Sequence, residues 1–120
     1  MAQQPNEQEM EKMVRDYQMV QEQLRVYAIQ LEQLKAQKAE IERANEEVAN
    51  STGRVYISVG GVIVETTKDK AVADLKDRSE LSDTRITSVT KQFNELKTRE
   101  KQLSERITEV YKSAQGAGPQ

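Results

Sequence analysis

The sequence contains no cysteine, no histidine and no tryptophan, and its 120 residues include 5 glycines and 2 prolines. The absence of cysteine and histidine excludes disulfides, thiol nucleophiles, imidazole bases and ordinary zinc sites. A mechanism that relies on carboxylates alone is the form of catalysis that remains. We therefore predict a protein that is not an enzyme and that uses no metal and no cofactor.

Long apolar runs and an excess of basic charge are also missing. No run approaches the roughly 18–20 apolar residues of a membrane span, and the N-terminal residues lack the basic and apolar regions of a signal peptide. The formal net charge is −2 with the two signs interspersed, so no basic stripe is available for a nucleic-acid backbone. These features predict an intracellular, cytoplasmic protein with no nucleic-acid or membrane partner.

Aliphatic side chains are scarce as well, and this limits the size of any core. Leucine, isoleucine, valine and phenylalanine together number 25, close to the level at which chains tend to stay disordered. Alanine, glutamate, lysine, arginine and leucine supply 50 residues, near the share that is typical of long helices and coiled coils. The composition therefore favours a helical coiled-coil module.

Glycine and proline, the strongest breakers of regular structure, divide the chain into two long segments. Residues 6–52 and 62–115 contain neither glycine nor proline. Each segment can therefore form a helix without a kink. We predict a single domain over residues 1–120, with a first helix at about 7–50, a β-hairpin at 54–66, a second helix at 67–113 and a flexible tail at 114–120.

Both segments carry apolar residues at alternating spacings of three and four, which is the heptad of a coiled coil. In the first segment the heptad positions are Met10, Met13, Tyr17, Val20, Leu24, Tyr27, Leu31, Leu34, Lys38, Ile41, Asn45 and Val48. In the second they are Val72, Leu75, Ser79, Ser82, Ile86, Val89, Phe93, Leu96, Glu100, Leu103, Ile107 and Val110. This period predicts a narrow seam between two supercoiled helices. The alternative, an amphipathic helix on a globular core, is disfavoured because the rest of the first segment is polar.

Residues near the free ends are expected to loosen this seam. Met10, Met13 and Met19, with Val14 beside them, are adaptable side chains that suit irregular apolar partners. An alternative role for Met13 is simply to fill the seam.

The start of the second helix carries a capping signal. The hydroxyl of Thr66 can accept a hydrogen bond from a backbone N–H of the first turn, and the carboxylate of Asp69 can accept one from the Thr66 N–H in return, as in a capping box. Thr67 is the alternative cap.

The insert between the helices has the pattern of a β-hairpin. Two runs rich in β-branched residues flank Gly60-Gly61, and such a pair favours a two-residue turn with positive φ. A phosphate-binding loop is the alternative, but neither a Lys-Ser/Thr pair nor a helix follows the glycines directly. The predicted cross-strand pairs are Val55 with Thr66, Tyr56 with Glu65, Ile57 with Val64, Ser58 with Ile63 and Val59 with Val62.

A short hairpin lets the two helices pair antiparallel. In the predicted register, paired seam positions sum to 120, so that Leu34 meets Ile86 and Leu24 meets Leu96. In this register Ser82 faces Lys38, Ser79 faces Ile41 and Glu100 faces Val20. The polar ends of such side chains can extend out of the seam. We predict a mainly α fold, a long antiparallel two-helix coiled coil with one central β-hairpin.

A lone two-stranded hairpin with an aliphatic face is marginal in water and leaves its strand edges open. Several copies or related subunits could pool their hairpins into a β-barrel body that buries this face. The predicted assembly residues are Val55, Ile57, Val59, Val62, Ile63 and Val64.

The sequence resembles the β-type subunit of prefoldin, closest to the archaeal form, over essentially its full length. The most specific part is Val59-Gly60 followed by Val64-Glu65-Thr66-Thr67-Lys68-Asp69, set between two heptad helices. A single hairpin resembles the β-type subunit rather than the longer α-type subunit, which carries two. Lys70 stands where family members often have an acidic residue.

The resemblance implies a hetero-hexamer of two α-type and four β-type subunits with a double β-barrel body and six coiled-coil tentacles. It further implies ATP-independent capture of unfolded client proteins and their delivery to a group II chaperonin. The family's client contacts lie at the distal ends of the coiled coils. They correspond here to the neighbourhoods of Met10, Met13, Val14, Tyr17, Leu103, Ile107 and Val110.

Two other classes of function compete with a chaperone. A coiled-coil spacer or adaptor would use the same heptads, but it would need seams covered to their ends and one defined partner surface. A carboxylate enzyme would need a concave pocket with paired acids of perturbed pKa, which two paired helices do not offer.

Overall fold

The computed structural model describes residues 6–116. The elements follow in the order α1 (Glu7–Asn50), β1 (Val55–Val59), β2 (Val62–Thr66) and α2 (Lys68–Gly116). The fold is mainly α, with one hairpin between two long helices, and this confirms the predicted fold class.

Each helix begins at a side-chain cap. The Asn6 side-chain oxygen accepts a hydrogen bond from the Glu9 N–H at 2.8 Å, and Glu7 and Glu9 place negative charge at the positive end of α1. At α2 the cap is Thr67, whose hydroxyl accepts the Lys70 N–H at 3.2 Å. The capping box on Thr66 was therefore wrong, because Thr66 pairs in β2, and the alternative cap is confirmed.

The two helices end in different ways. A hydrogen bond from the Ser51 N–H to the Val48 carbonyl, at 3.1 Å, closes the last turn of α1. The helix α2 continues to Gly116, past the predicted end at residue 113. Nothing before Gly116 interrupts a helix, since Ser113 and Ala114 are compatible with one. The rest of the predicted tail, residues 117–120, lies outside the described part of the chain, as do residues 1–5.

The hairpin forms with the predicted register. All five cross-strand pairs are confirmed, from Val55 with Thr66 to Val59 with Val62. Gly60 and Gly61 have φ values of 56° and 84°, the left-handed region that a type I′ turn requires at both positions. The turn therefore depends on two residues without a Cβ.

The chain forms two compact units. The hairpin unit is Gln30–Val89, and the terminal unit consists, within the described part of the chain, of residues 6–29 together with residues 90–116. The hairpin unit contains both strands, the second half of α1 and the first half of α2.

Within the hairpin unit, α1 and α2 lie side by side and antiparallel. The Lys38 ammonium pairs with the Asp83 carboxylate across the helices. The Lys68 ammonium donates to the Ala49 carbonyl oxygen at 2.8 Å. A cavity of about 250 Å³ is lined from both helices, with Ile41 and Asn45 on one side and Leu75 and Ser79 on the other. These contacts agree with the predicted register.

Within the terminal unit the two helix segments also share a surface groove. It has a volume of about 370 Å³ and is lined by Gln23 and Tyr27 of α1 and by Gln92, Glu95, Leu96 and Arg99 of α2. Val20 and Leu24 are only 4% and 6% exposed, so the seam of the terminal unit buries large aliphatic side chains at this level.

Nearly all predicted seam residues are at least half-buried, with two exceptions. Asn45 is exposed and Ala44 is half-buried in its place. Val72 is likewise exposed, whereas Ala71 is buried. Both residues nevertheless line the cavity between α1 and α2. They therefore lie at the edge of the seam, and the alanines beside them are better covered.

Candidate functional site

The first candidate surface is the aliphatic face of the hairpin. Val55 is buried and Ile57 half-buried, whereas Val59, Val62 and Val64 are about half exposed. The helices of the same chain therefore cover only the end of the hairpin that lies next to them in sequence. The two strands pair with each other and with no third strand in the described residues, so each also has an outer edge that could accept one.

The reverse face of the hairpin is exposed too. Tyr56 and Ile63 project there, and Ile63 is 74% exposed. Beside them the Arg54 guanidinium lies 3.8 Å from the Glu65 carboxylate. Ile63 therefore lies on a different face from the other five predicted assembly residues, and any assembly must bury it separately.

The second candidate surface lies in the terminal unit. Six of the seven residues predicted there are half-buried along the seam, namely Met10, Met13, Tyr17, Leu103, Ile107 and Val110. Val14 is the exposed seventh. The six are half-buried like most of the seam, and each is less covered than Val20 or Leu24.

Val14 contributes to a shallow groove on the surface of α1. The groove has a volume of about 510 Å³ and is lined by Glu7, Met10, Glu11, Val14 and Arg15. Its centre is apolar, and both signs of charge stand at its rim. Such a surface can take an apolar segment without selecting for the charge of its neighbours.

Residues outside the seam add exposed apolar surface that the heptad analysis did not predict. Met19 is 61% exposed, and Val26 and Ile29 are each 43% exposed. The expectation that Met19 loosens the seam was wrong, because its side chain lies outside it. The sequence does carry a signal for this exposed surface, because Met19, Val26 and Ile29 are separated by seven and three residues and so fall on one side of the helix.

A polar layer interrupts the seam in the hairpin unit. Ser82 is buried, and Lys38 extends from the seam to Asp83, with Glu42 at 4.0 Å. The hydrogen bond to Asp83 is the main cause that raises the pKa of the Lys38 ammonium. The predicted layer of Lys38 and Ser82 is therefore present, with the charged head turned outward to a carboxylate.

Residues 6–116 carry neither a metal-binding cluster nor a membrane-spanning helix. No group of three or more acidic side chains in this part of the chain is arranged to hold a metal ion. No described helix is long and apolar enough to cross a membrane.

Comparison with known proteins identifies the family. A family model described as "Prefoldin subunit" matches residues 11–115. The chain belongs to the prefoldin family. It is 34% identical over 104 residues to prefoldin subunit beta of Methanosarcina acetivorans, covering 85% of this chain and 89% of the relative. The corresponding protein of Thermococcus kodakarensis is 32% identical over 111 residues, covering 91% and 89%.

A solved structure agrees with this assignment. The crystal structure of the prefoldin beta subunit from Thermococcus strain KS-1 superposes with a TM-score of 0.80 at 29% identity, covering 92% of this chain and 96% of that one. Prefoldins are multi-subunit chaperones whose subunits are not known to be enzymes. In this prefoldin subunit the hairpin and the terminal unit carry the two candidate interaction surfaces.

Proposed function

We propose that this prefoldin subunit is an ATP-independent holdase subunit, which captures unfolded proteins on its terminal unit and passes them to a group II chaperonin. We further propose that residues 1–120 act as one domain in the cytoplasm. The observation that carries the proposal is the partly covered apolar surface around Met10 and Val14, in a family of chaperone subunits.

Assembly through the hairpin is the first part of the proposal. Val59, Val62 and Val64 are substantially exposed in the single chain, and an exposed aliphatic strand pair invites further pairing. Hairpins from two prefoldin α-type and four β-type subunits would cover this face in a shared barrel. The predicted assembly residues Val55, Ile57 and Ile63 would join it from both faces.

Client capture is the second part of the proposal. Residues 1–25 carry five acids and three bases, and residues 97–120 carry three acids and five bases, so the charges of the two segments cancel. Unfolded proteins of either sign can therefore approach, and contact with apolar side chains decides binding. Low charge selectivity and adaptable methionines are what a binder of many partners requires.

Aggregation assays test this proposal. The full-length chain is assembled with a prefoldin α-type subunit and mixed with several chemically denatured proteins, and light scattering is followed without nucleotide. We expect suppression of aggregation by the wild-type complex. Removal of residues 1–18 and 102–120 should abolish it while the mass of the complex falls only by the deleted residues.

A point variant with a matched control sharpens the test. Met10→Gln with Val14→Gln should weaken suppression, whereas Ala36→Gln with Ala39→Gln, at exposed positions of the same helix, should not. Equal suppression by all variants and by the truncated chain would place capture elsewhere. No suppression by the wild-type complex would favour the spacer or adaptor.

A further inference from the structure

Three apolar side chains form a stripe on the outer side of α1 in the terminal unit. Met19, Val26 and Ile29, here called the outer stripe, lie within roughly 80° of one another around the helix, because their spacings are close to whole turns. The seam residues Val20 and Leu24 lie at least about 100° away on the same helix. The outer stripe therefore does not face the seam, and its exposure of 43–61% agrees with this.

The surroundings of the outer stripe carry little unbalanced charge. Gln23 and Gln30 flank it. The Glu22 carboxylate accepts hydrogen bonds from the Arg25 guanidinium, the shorter one at 2.5 Å, and this contact lowers the pKa of Glu22. The two charges thus neutralise each other on the helix surface. A partner of this stripe is selected by apolar contact and not by its charge.

The size of the outer stripe limits what can occupy it. It extends over about three helical turns, roughly 15 Å, and presents on the order of a few hundred Å² of apolar surface. A stable interface between folded subunits needs about 800 Å² on each partner. The stripe is too small for a permanent neighbour, and it suits a short apolar segment that binds and leaves.

The outer stripe is also specific to one part of α1. From Gln30 to Asn50, no large hydrophobic side chain of the helix is exposed. Helical surface in a chain with 32% charged residues needs no such cluster for solubility or for pairing with α2. Single exposed apolar residues are common, but three on one face are not explained by the fold.

We propose that the outer stripe is a second binding site for short apolar segments of non-native proteins, separate from the surface around Met10 and Val14. This proposal rests on the proposed chaperone function and adds a site to it. Two weak sites on one subunit, repeated over the subunits of an assembly, raise the effective affinity for a long unfolded chain without making either contact tight. Each segment can then dissociate while the client stays bound.

The experiment uses the full-length chain assembled with its α-type partner. The probe is a fluorescein-labelled peptide of about 14 residues made of leucine, alanine and serine, and its binding is measured by fluorescence anisotropy. The outer-stripe variant is Met19→Gln with Val26→Gln and Ile29→Gln. Glutamine is at least as good a helix former as valine or isoleucine, so the variant keeps α1. The matched control is Ala36→Gln with Ala39→Gln.

In the background of Met10→Gln with Val14→Gln, which removes the first surface, we expect the outer-stripe variant to bind the peptide about fivefold to tenfold more weakly than the control, as loss of apolar contact predicts. This background is needed because a peptide that finds one site lost can still bind the other. Unchanged peptide affinity of the outer-stripe variant in this background would overturn the proposal. A changed mass of the assembly would overturn it too, since the stripe would then be a contact between subunits.

A photo-crosslinking amino acid tests the site without removing the stripe. Placed at Val26, it should label a denatured client in the wild-type background, and placed at the exposed Gln37 it should not. Equal labelling at both positions would overturn the proposal. If the outer-stripe proposal is wrong, the Met10 and Val14 surface still suppresses aggregation. If the proposed chaperone function is wrong, the wild-type complex itself does not suppress aggregation.

Discussion

The terminal unit and the hairpin unit use the same type of helix pair, yet they leave apolar surface uncovered in different places. In the terminal unit Val20 and Leu24 are buried in the seam, and the uncovered apolar residues lie on the helices. In the hairpin unit the buried helical residues are Ala71 and Ser82, and the uncovered apolar surface lies mainly on the strands. The two units thus bury different kinds of side chain in their seams and leave apolar surface on different elements.

This difference separates two tasks within one chain. Strands expose edges that pair in a fixed register, so an uncovered hairpin suits a defined and permanent partner. A helix satisfies its own backbone hydrogen bonds, so uncovered apolar residues on it can contact many partners without one geometry. The comparison predicts that changes in the hairpin unit alter assembly, whereas changes in the terminal unit alter capture or stability.

The largest effect is expected at the hairpin. Ile57→Asp with Val64→Asp places two carboxylates opposite each other in the aliphatic face, where burial in an assembly would leave them unpaired. We expect assembly with the α-type partner to be lost while helical circular dichroism is retained. Light scattering of the mixture measures the mass, and an unchanged mass would show that the face is covered in some other way. Ile57→Val with Val64→Ile, which keeps the face aliphatic, is the matched control.

A smaller effect is expected in the seam, and it should differ between the units. Leu24→Ala removes a side chain that is 6% exposed in the terminal unit, and we expect a loss of about 2–3 kcal/mol. Leu34→Ala, at a half-buried position of the hairpin unit, should cost clearly less. Urea unfolding followed by circular dichroism gives both values. Equal losses would mean that the two seams are equally tight.

The smallest effect is expected from the polar layer at high pH. The raised pKa of Lys38 means that the folded chain holds this proton more tightly than the unfolded chain. Its contribution is therefore complete below the ordinary pKa of lysine, near 10.4, and is lost as pH rises through the higher folded value. Lys38→Met removes this titration. As the pH is raised from below to above the ordinary lysine pKa, the urea midpoint of the wild type should fall relative to that of the variant, and a constant difference between the two would contradict the prediction.

The hairpin and most of the seam could be predicted from sequence because their signals are local. The Gly60-Gly61 pair fixes the turn, and the turn fixes every cross-strand pair from Val55 to Thr66. The heptad likewise identifies the face of a helix that meets another helix. It does not specify how deeply each residue lies in the seam, so Asn45 and Val72 lie at its edge while the neighbouring Ala44 and Ala71 are better covered.

The candidate sites were harder to predict, because exposure is a property of the folded chain. A heptad search identifies one seam only, and it does not detect the exposed face that Met19, Val26 and Ile29 form. Ile63 was grouped with residues of the opposite hairpin face, although its pairing with Ser58 was predicted. In both cases the missing information was which side of an element its neighbours leave open.

The tight turn at Gly60-Gly61 also bears on the order in which the chain acquires its structure. Residues that pair beside the turn are close in sequence, so they can find each other before any distant contact forms. Once they are held, Lys68 and Ala49 are brought near each other, and each later helical layer closes only a slightly longer loop than the one before, at little additional entropy. Folding can thus proceed like the closing of a zipper from the hairpin, and the apolar residues nearest the two chain ends are the last to gain a partner and the first to lose one.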